Sequence, residues 1–248
     1  MFLYEIFNAH IQNKKINYKI HYIETAESTN QYTWNLKSQT LKHGNIIITK
    51  NQTNGVGRRG TEWLSSKNNS LTFSLVIKEH QKYDHLLSLK TGISIVEGIK
   101  KNTGIKTTLK WPNDIMINNK KIGGILIEKK KEMIVIGIGI NVKENYNDFH
   151  PIIQNQSTSL KIISNLSINL EKLLADILNK FEQNYYENNN EKIIKKWEIK
   201  CAHMNKNIKF HNNQIITNGI FEGLNKNGAA IIDTKGNKKI IFGGIIDL

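Results

Sequence analysis

All the arginine of this chain stands at one place. Arg58 and Arg59 are adjacent inside the glycine-containing run Gln52-Thr53-Asn54-Gly55-Val56-Gly57-Arg58-Arg59-Gly60, whereas lysine supplies positive charge everywhere else. The guanidinium is a planar fork of donors suited to phosphate or carboxylate. Glycines let backbone N–H groups approach such an anion closely. The run lacks the G-x-x-x-x-G-K-[ST] pattern of a P-loop and the G-x-G-x-x-G that opens a dinucleotide-binding helix. Its plain alternative is a surface turn. A second candidate is Lys110-Trp111-Pro112-Asn113-Asp114, in which a strand delivers Lys110 and Pro112 stops it. Lys110 there could set a point charge against a phosphate or carboxylate, and Asn113 and Asp114 could hold Mg²⁺ or a hydroxyl. The plain alternative is a buried Trp111 anchoring a turn. Third, glycines sit inside two apolar runs, Lys121-Ile122-Gly123-Gly124-Ile125-Leu126-Ile127-Glu128 and Gly137-Ile138-Gly139-Ile140-Asn141. Glycine in a strand marks close approach of a ligand or of another backbone, so a flat ligand across a sheet and a tightly packed bulge both stay open. His80, His85 and the other histidines are too scattered for a metal signature, and Cys201 is alone, so it reads as structural.

The elements that must position these residues are legible in outline. Tyr18 to Glu24 reads as a strand, and Ser28-Thr29-Asn30-Gln31 has the form of a capping box that starts a helix. Asn45 to Thr49 reads as a buried strand, and Asn51 to Asn69 as a long loop. Ser70 to Lys78 alternates, with Leu71, Phe73, Leu75 and Ile77 on one face, as a half-buried strand does. Leu86 to Lys100 has helical spacing and ends at Gly104. A meander follows over Thr107–Trp111, Asp114–Ile117, Ile122–Glu128 and Met133–Val142. Helices are expected over Leu170–Phe181 and Glu191–Lys200; Tyr185 and Tyr186, at the end of the first, read as core or interface. After about Asn205 the pattern becomes short strands (208–210, 215–221, 229–232 and 240–242) separated by Asn212-Asn213, Lys226-Asn227-Gly228 and Lys235-Gly236-Asn237, which suggests a small appended barrel. Strands joined by tight turns, with helices on other segments, indicate an α+β fold.

Length and composition bound the rest. The 248 residues are 39% hydrophobic, enough for a real core, which excludes a disordered tail or a fibre. No run of about 18 apolar residues exists to span a membrane. The N-terminus has no basic region before an apolar stretch, so no signal peptide is read. One cysteine excludes an internal disulfide and a zinc cluster, and the expectation is a reduced, cytoplasmic protein with no membrane partner. Lys+Arg 35 against Asp+Glu 21 gives +14. That charge points either to a nucleic-acid footprint or to a compositional bias toward Lys, Asn and Ile.

Taken in order, Glu27-Ser28-Thr29-Asn30, the Gln52–Gly60 run, Trp63, Lys110–Asp114, Lys121–Glu128 and Gly137–Asn141 resemble the biotin protein ligases (biotin–[acetyl-CoA-carboxylase] ligases), over about residues 20 to 245. The resemblance implies a mixed β-sheet with flanking helices, of the class II synthetase type, in a catalytic domain over 1–203. An SH3-like β-barrel over 204–248 follows it. It implies ATP-dependent biotinylation of a lysine on biotin carboxyl carrier protein, through a biotinyl-5′-AMP intermediate. Biotin and ATP are then the substrates, with Mg²⁺. The catalytic residues it implies are Lys110, bridging the biotin carboxylate and the α-phosphate, and Arg58.

For biotin it implies contacts from Ser28, Thr29, Asn30 and Gln52 at the ureido edge. Val56, Gly57, Arg58, Lys110, Gly123 and Gly124 complete that set. For ATP and the adenylate it implies Arg58, Arg59, Trp63, Lys110, Asn113 and Asn141, and for the metal Asp114. Loop 54–62 is expected to order over biotin. A basic surface would speed encounter with an acidic carrier. A homodimer is compatible with the resemblance, although the residues do not give the oligomeric state.

The chain departs from the family pattern twice. Val56 stands where the loop motif usually has arginine, and Gly243-Gly244-Ile245 where an acidic residue often follows glycine. Only 27 residues precede Ser28, too few for a helix-turn-helix and linker, so no DNA partner is expected. Lipoate or octanoate transferases carry an R-R-x-x-G-G-G-type motif, which Arg58-Arg59-Gly60-Thr61-Glu62-Trp63 lacks. A basic RNA-binding module would cluster its lysines among exposed aromatics, and here they are spread along the chain.

Overall fold

The structure is a computed structural model that describes residues 2–12, 15–37, 40–78, 84–212 and 215–247. Met1, His80, Asn213 and Leu248, each part of a reading above, lie outside them. In chain order the elements are α1 (Tyr4–His10), β1 (Lys19–Ala26), α2 (Thr29–Asn35), β2 (Asn45–Gln52), β3 (Gly55–Val56), β4 (Glu62–Trp63) and β5 (Ser70–Lys78). There follow α3 (Leu87–Thr103), β6 (Thr108–Lys110), β7 (Asp114–Ile117), β8 (Lys120–Lys130) and β9 (Met133–Asn141). Then come α4 (Pro151–Gln154), α5 (Leu160–Ser164), α6 (Leu170–Tyr185) and α7 (Asn190–Ile199). The last segment holds β10 (Asn207–Asn212), β11 (Ile215–Leu224), β12 (Ala230–Thr234), β13 (Asn237–Ile241) and β14 (Ile245–Asp247).

The main sheet has seven strands in the order β1-β2-β5-β9-β8-β7-β6. β1 and β2 run parallel and the remaining neighbours antiparallel, so the sheet is mixed. Its two faces differ in chemistry because successive side chains point to opposite sides. One face carries Leu71, Phe73 and Leu75 of β5 beside Ile140, Ile138 and Ile136 of β9, all buried. Gly92 of α3 lies against Leu109 and Ile125 on that face. Helix α6 packs in turn on α3, where a Cβ on Gly98 would lie 2.7 Å from the Ile177 Cα. The other face carries Thr72 and Ser74 beside Gly139 and Gly137. Helix α2 lies over it. Ser28 caps α2 by accepting from the Gln31 N–H, as the capping pattern requires.

Two expectations change here. β5 is buried along Ser70–Ile77 rather than half-buried, because its polar face lies beneath α2 and a cavity instead of in water. The stretch 51–69 is not a plain loop: β3 pairs with β4 as a small hairpin. Gly57 N–H donates to Thr61 O at 2.6 Å and the Thr61 hydroxyl to Arg58 O at 2.8 Å, which closes the turn. Arg59 takes φ 57° at its tip.

The C-terminal strands form a five-stranded antiparallel sheet in the order β13-β12-β11-β10-β14, consistent with an SH3-like unit. Its buried Phe210 and Phe221 meet the aromatic residues of the preceding segment. Trp111 lies 6.5 Å from Phe210 between ring centroids, and His203 lies 4.3 Å from Phe221. Trp111 Nε1 donates to Gly228 O at 3.1 Å, and Glu198 accepts from the Leu224 N–H at 2.9 Å. No helix of the described residues is long and apolar enough to cross a membrane.

Candidate active site

The glycines of β8 and β9 create the site by removing side chains from one face. Gly124 pairs with Gly139, and Leu126 with Gly137, so these residues share the face under α2. A Cβ on Gly139 would lie 2.4 Å from the Trp63 ring, and one on Gly137 would lie 2.5 Å from the Asn30 Oδ1. Trp63 and Asn30 therefore rest directly on the backbone of the sheet. Between them, the β3–β4 hairpin and the Lys110–Asp114 corner is a cavity of about 1050 Å³.

One end is neutral and polar. Ser28, Thr29, Asn30 and Gln52 line it, and all four are buried. Gln52 Oε1 accepts from the Thr29 N–H at 2.9 Å, which holds the start of α2 to the end of β2. Thr72 Oγ1 and Trp63 Nε1 are buried at the cavity with no hydrogen-bond partner. A buried donor left unpaired costs about 1–3 kcal/mol, so such groups mark a place where a ligand completes the bonding.

The other end is cationic: Arg58, Arg59, Lys110, Lys121 and Lys206 face it against Glu62, Asp114 and Asp247. Arg58 donates from Nη1 to Asn113 Oδ1 at 3.2 Å. Burial, and secondarily Arg59, pull its pKa below the usual guanidinium value while Asp114 opposes them; an arginine so placed stays charged at neutral pH. The Lys110 ammonium makes no hydrogen bond or ion pair among the described residues, so it is available to an incoming anion. Lys121 is held 2.7 Å from Asp114 and 5.8 Å from the Trp63 ring centroid. Trp111 lines the cavity and also anchors the C-terminal sheet through its Nε1–H, so the anchoring and ligand readings of 110–114 hold side by side. The peptide before Pro112 is cis.

The oxygens here do not make a resident Mg²⁺ site. Asp114 is paired with Lys121, and Asn113 spends Oδ1 on Arg58 and Nδ2 on the Ile125 carbonyl. The described residues contain no cluster of three or more His, Cys, Asp or Glu that could hold a metal.

Val56, Gly57, Arg59 and Gly124 line the cavity as the motifs require. Two expected residues stand elsewhere. Gly123 lies on the opposite face from Gly124, against Ile115 and Ile140. Asn141 borders a second cavity of about 150 Å³, with Leu64, Glu144 and His150, that shares Ile153 with the first. Glu144 is buried there and donates nothing; Ser70 Oγ donates to its Oε1 at 2.5 Å, and burial pushes its pKa up to about 7. Several cavity residues carried no local signal: Lys206 and Asp247 arrive from the C-terminal segment, beside the Gly244 and Ile245 already noted, and Gln156 and Ser157 from the segment before α5. Lys121 could have been found, since it opens the glycine strand three residues before Gly124. Cys201 is not activated; burial raises its thiol to about 12.

Residues 22–145 match the model of the biotin/lipoate A/B protein ligase family. The bifunctional ligase/repressor BirA of Bacillus subtilis is 31% identical over 238 residues, spanning 92% of this chain and 73% of that protein. The structure of biotin protein ligase from Aquifex aeolicus in complex with biotin and ATP superposes with a TM-score of 0.82 at 27% identity, covering 92% of this chain and 97% of the other. Biotin acetyl coenzyme A carboxylase synthetase from Helicobacter pylori, with bound biotinylated ATP, gives 0.69 at 25% identity over 90% and 100%. The motif order, the mixed sheet, the glycine-floored cavity and these relatives lead to one assignment: the chain belongs to the biotin/lipoate A/B protein ligase family.

Proposed function

We propose that this protein is a biotin protein ligase that uses ATP to attach biotin to a lysine of a biotin carboxyl carrier protein. In the first step a biotin carboxylate oxygen attacks the α-phosphorus of ATP, the α–β anhydride bond breaks, and pyrophosphate leaves. In the second the acceptor amine attacks the acyl carbon of biotinyl-5′-AMP and loses a proton, and AMP departs as the amide forms. The observation that carries this reading is a single cavity with neutral hydrogen-bonding groups at one end and a cluster of cations at the other. A ligand with an apolar body, a polar ureido head and a carboxylate fits that polarity, and the carboxylate meets the phosphates where the cations lie.

Bringing two anions together is the electrostatic problem of the first step. Arg58, Lys110 and Lys121 lower that repulsion, with Arg58 held toward the site by Asn113 and Lys121 by Asp114. Arg59 and Trp63 extend the same wall toward the nucleotide, and the family resemblance assigns Asn141, in the adjoining cavity, to the adenylate. The strands over 204–248, read as a separate SH3-like unit, contribute Gly244–Asp247 as a cover, with a Cβ on Gly243 3.8 Å from the Arg58 Nη2. Enclosure protects an acyl-adenylate from hydrolysis. The net charge of +14 suits an acidic acceptor protein.

The decisive assay is pyrophosphate release from Mg-ATP, with biotin or lipoate added separately and no acceptor present. Biotin-dependent release is expected, reduced roughly 10²–10³-fold in Arg58→Ala and in Lys110→Ala, as for other preorganised charge-stabilising groups. Release with lipoate alone, or none with either from folded protein, overturns the reading.

A further inference from the structure

Glu128 does not line the cavity, yet it closes a hydrogen-bond chain that ends on a cavity residue. It lies on the same face of the sheet as Gly137 and Gly124, by strand alternation. Its Oε2 accepts from Trp34 Nε1 at 3.1 Å and from Asn30 Nδ2 at 2.9 Å. Asn30 Nδ2 also points to the Leu126 carbonyl at 3.5 Å. Both are acceptors only, so the amide nitrogen of Asn30 must face them and its oxygen must face the other way.

That orientation propagates. Asn30 Oδ1 can only accept, and its partner is Ser74 Oγ at 2.6 Å, so the Ser74 hydroxyl donates to it. Ser74 Oγ, its proton used, then accepts from Thr29 Oγ1 at 2.8 Å. The alternative receiver for the Thr29 proton is Gln52 Oε1, longer at 3.4 Å and already bonded to the Thr29 N–H. With its proton directed into the protein, Thr29 presents only lone pairs to the cavity. All three relay residues, Thr29, Asn30 and Ser74, are at least 96% buried, so water does not scramble the order.

We propose that Glu128 is a positioning residue that fixes the polarity of this relay, making Thr29 an acceptor that selects an N–H donor on the bound ligand. This rests on the biotin reading, in which the ring N–H groups of the ureido head supply that donor. Without the carboxylate, the Asn30 amide is free to turn over. Its nitrogen then donates to Ser74, Ser74 donates to Thr29, and the Thr29 proton turns toward the ligand N–H.

The test is calorimetric binding of biotin and of its two oxazolidinone analogues, in which one or the other ring N–H is replaced by oxygen. In the parent protein one analogue is expected to bind roughly 10- to 100-fold more weakly than biotin, since an acceptor then faces an acceptor. Glu128→Leu and Ser74→Ala are expected to lower that ratio about tenfold, with the loss falling on biotin. Glu128→Gln, whose amide oxygen can still take both bonds, keeps the ratio. Equal weakening of biotin and analogue in either variant means a merely structural role and overturns the proposal, as does an unchanged ratio in both. Parent protein that binds no biotin fails the parent reading itself, a result distinct from biotin binding without a Glu128-dependent ratio.

Discussion

Glu144 is buried beside Asp148 with one carboxylate oxygen bonded to Ser70 and the other unpartnered, and that setting has a thermodynamic signature. Burial raises its pKa from 4.5 to about 7, with Asp148 adding to the shift and the Ser70 bond opposing it. A folded pKa above the unfolded one means that the native state holds the proton more tightly. Stability contributed by Glu144 is then present below pH 4.5 and is lost as pH rises through about 7. Between pH 5 and pH 8 the loss amounts to about 2–3 kcal/mol. Urea melts of the parent and of Glu144→Gln across that interval are expected to differ in slope by this amount, the parent's stability falling relative to the variant's as pH rises. Parallel slopes would show that Glu144 keeps the same proton affinity on unfolding.

At the scale of elements, glycines serve two separate purposes, and substitution separates them. Gly98 lets α3 approach α6 so closely that a Cβ would stand 2.7 Å from the Ile177 Cα and 2.9 Å from its N. Gly98→Ala forces the helices apart and is expected to cost about 1–3 kcal/mol in denaturant titrations. Steady-state parameters of the folded fraction should hold, because neither helix reaches the cavity. Gly139 instead makes room for an indole. Gly139→Ala displaces Trp63, and the expected result is a raised KM for ATP with a blue- or red-shifted tryptophan emission, at little cost in stability. A variant of Gly139 that melts early but binds normally would reverse this assignment.

The whole molecule is joined through a buried aromatic junction in which His203 touches both Trp197 and Phe221. His203 has no exposed surface, and burial, with Lys110 and Lys206 adding to it, lowers its pKa to about 3. A base whose folded pKa is depressed contributes stability that is complete above its unfolded value of 6.5 and is lost as pH falls toward 3. The loss reaches about 2 kcal/mol at pH 5. Since the junction packs α7 and its following turn on β11, and that turn bonds Leu109 of β6 on its other side, acid is expected to loosen both sheets together. Because Glu144 titrates with the opposite sign over this interval, the scans belong in the Glu144→Gln background: at pH 5 and pH 7 that protein should show one transition that falls in acid, and adding His203→Phe should make it move less. Two transitions, with only one sensitive to acid, would show that the sheets unfold independently.

The amino-acid sequence by itself determined the local devices. The two arginines among glycines, the capping serine at 28, the alternation of β5 and the strand glycines at 124, 137 and 139 are contiguous patterns whose chemistry follows from neighbours a few residues away. From them the α+β class was legible, and with the family resemblance so were the Ser28–Asn30, Arg58–Arg59 and Lys110 walls of the cavity. Tertiary structure decided what faces what. Periodicity says that Thr72 and Ser74 share a face, but not that α2 covers it, so β5 read as half-buried. Hydrogen bonds within the turn folded 51–69 into a hairpin that composition showed only as polar chain. Lys206 and Asp247 joined Arg58 because two sheets dock through Trp111, and Glu128 reached Thr29 because α2 lies over β5 and β8 and brings Asn30 between Ser74 and Glu128. Such contacts depend on relative placement after the chain has closed long loops, and no local pattern encodes that placement.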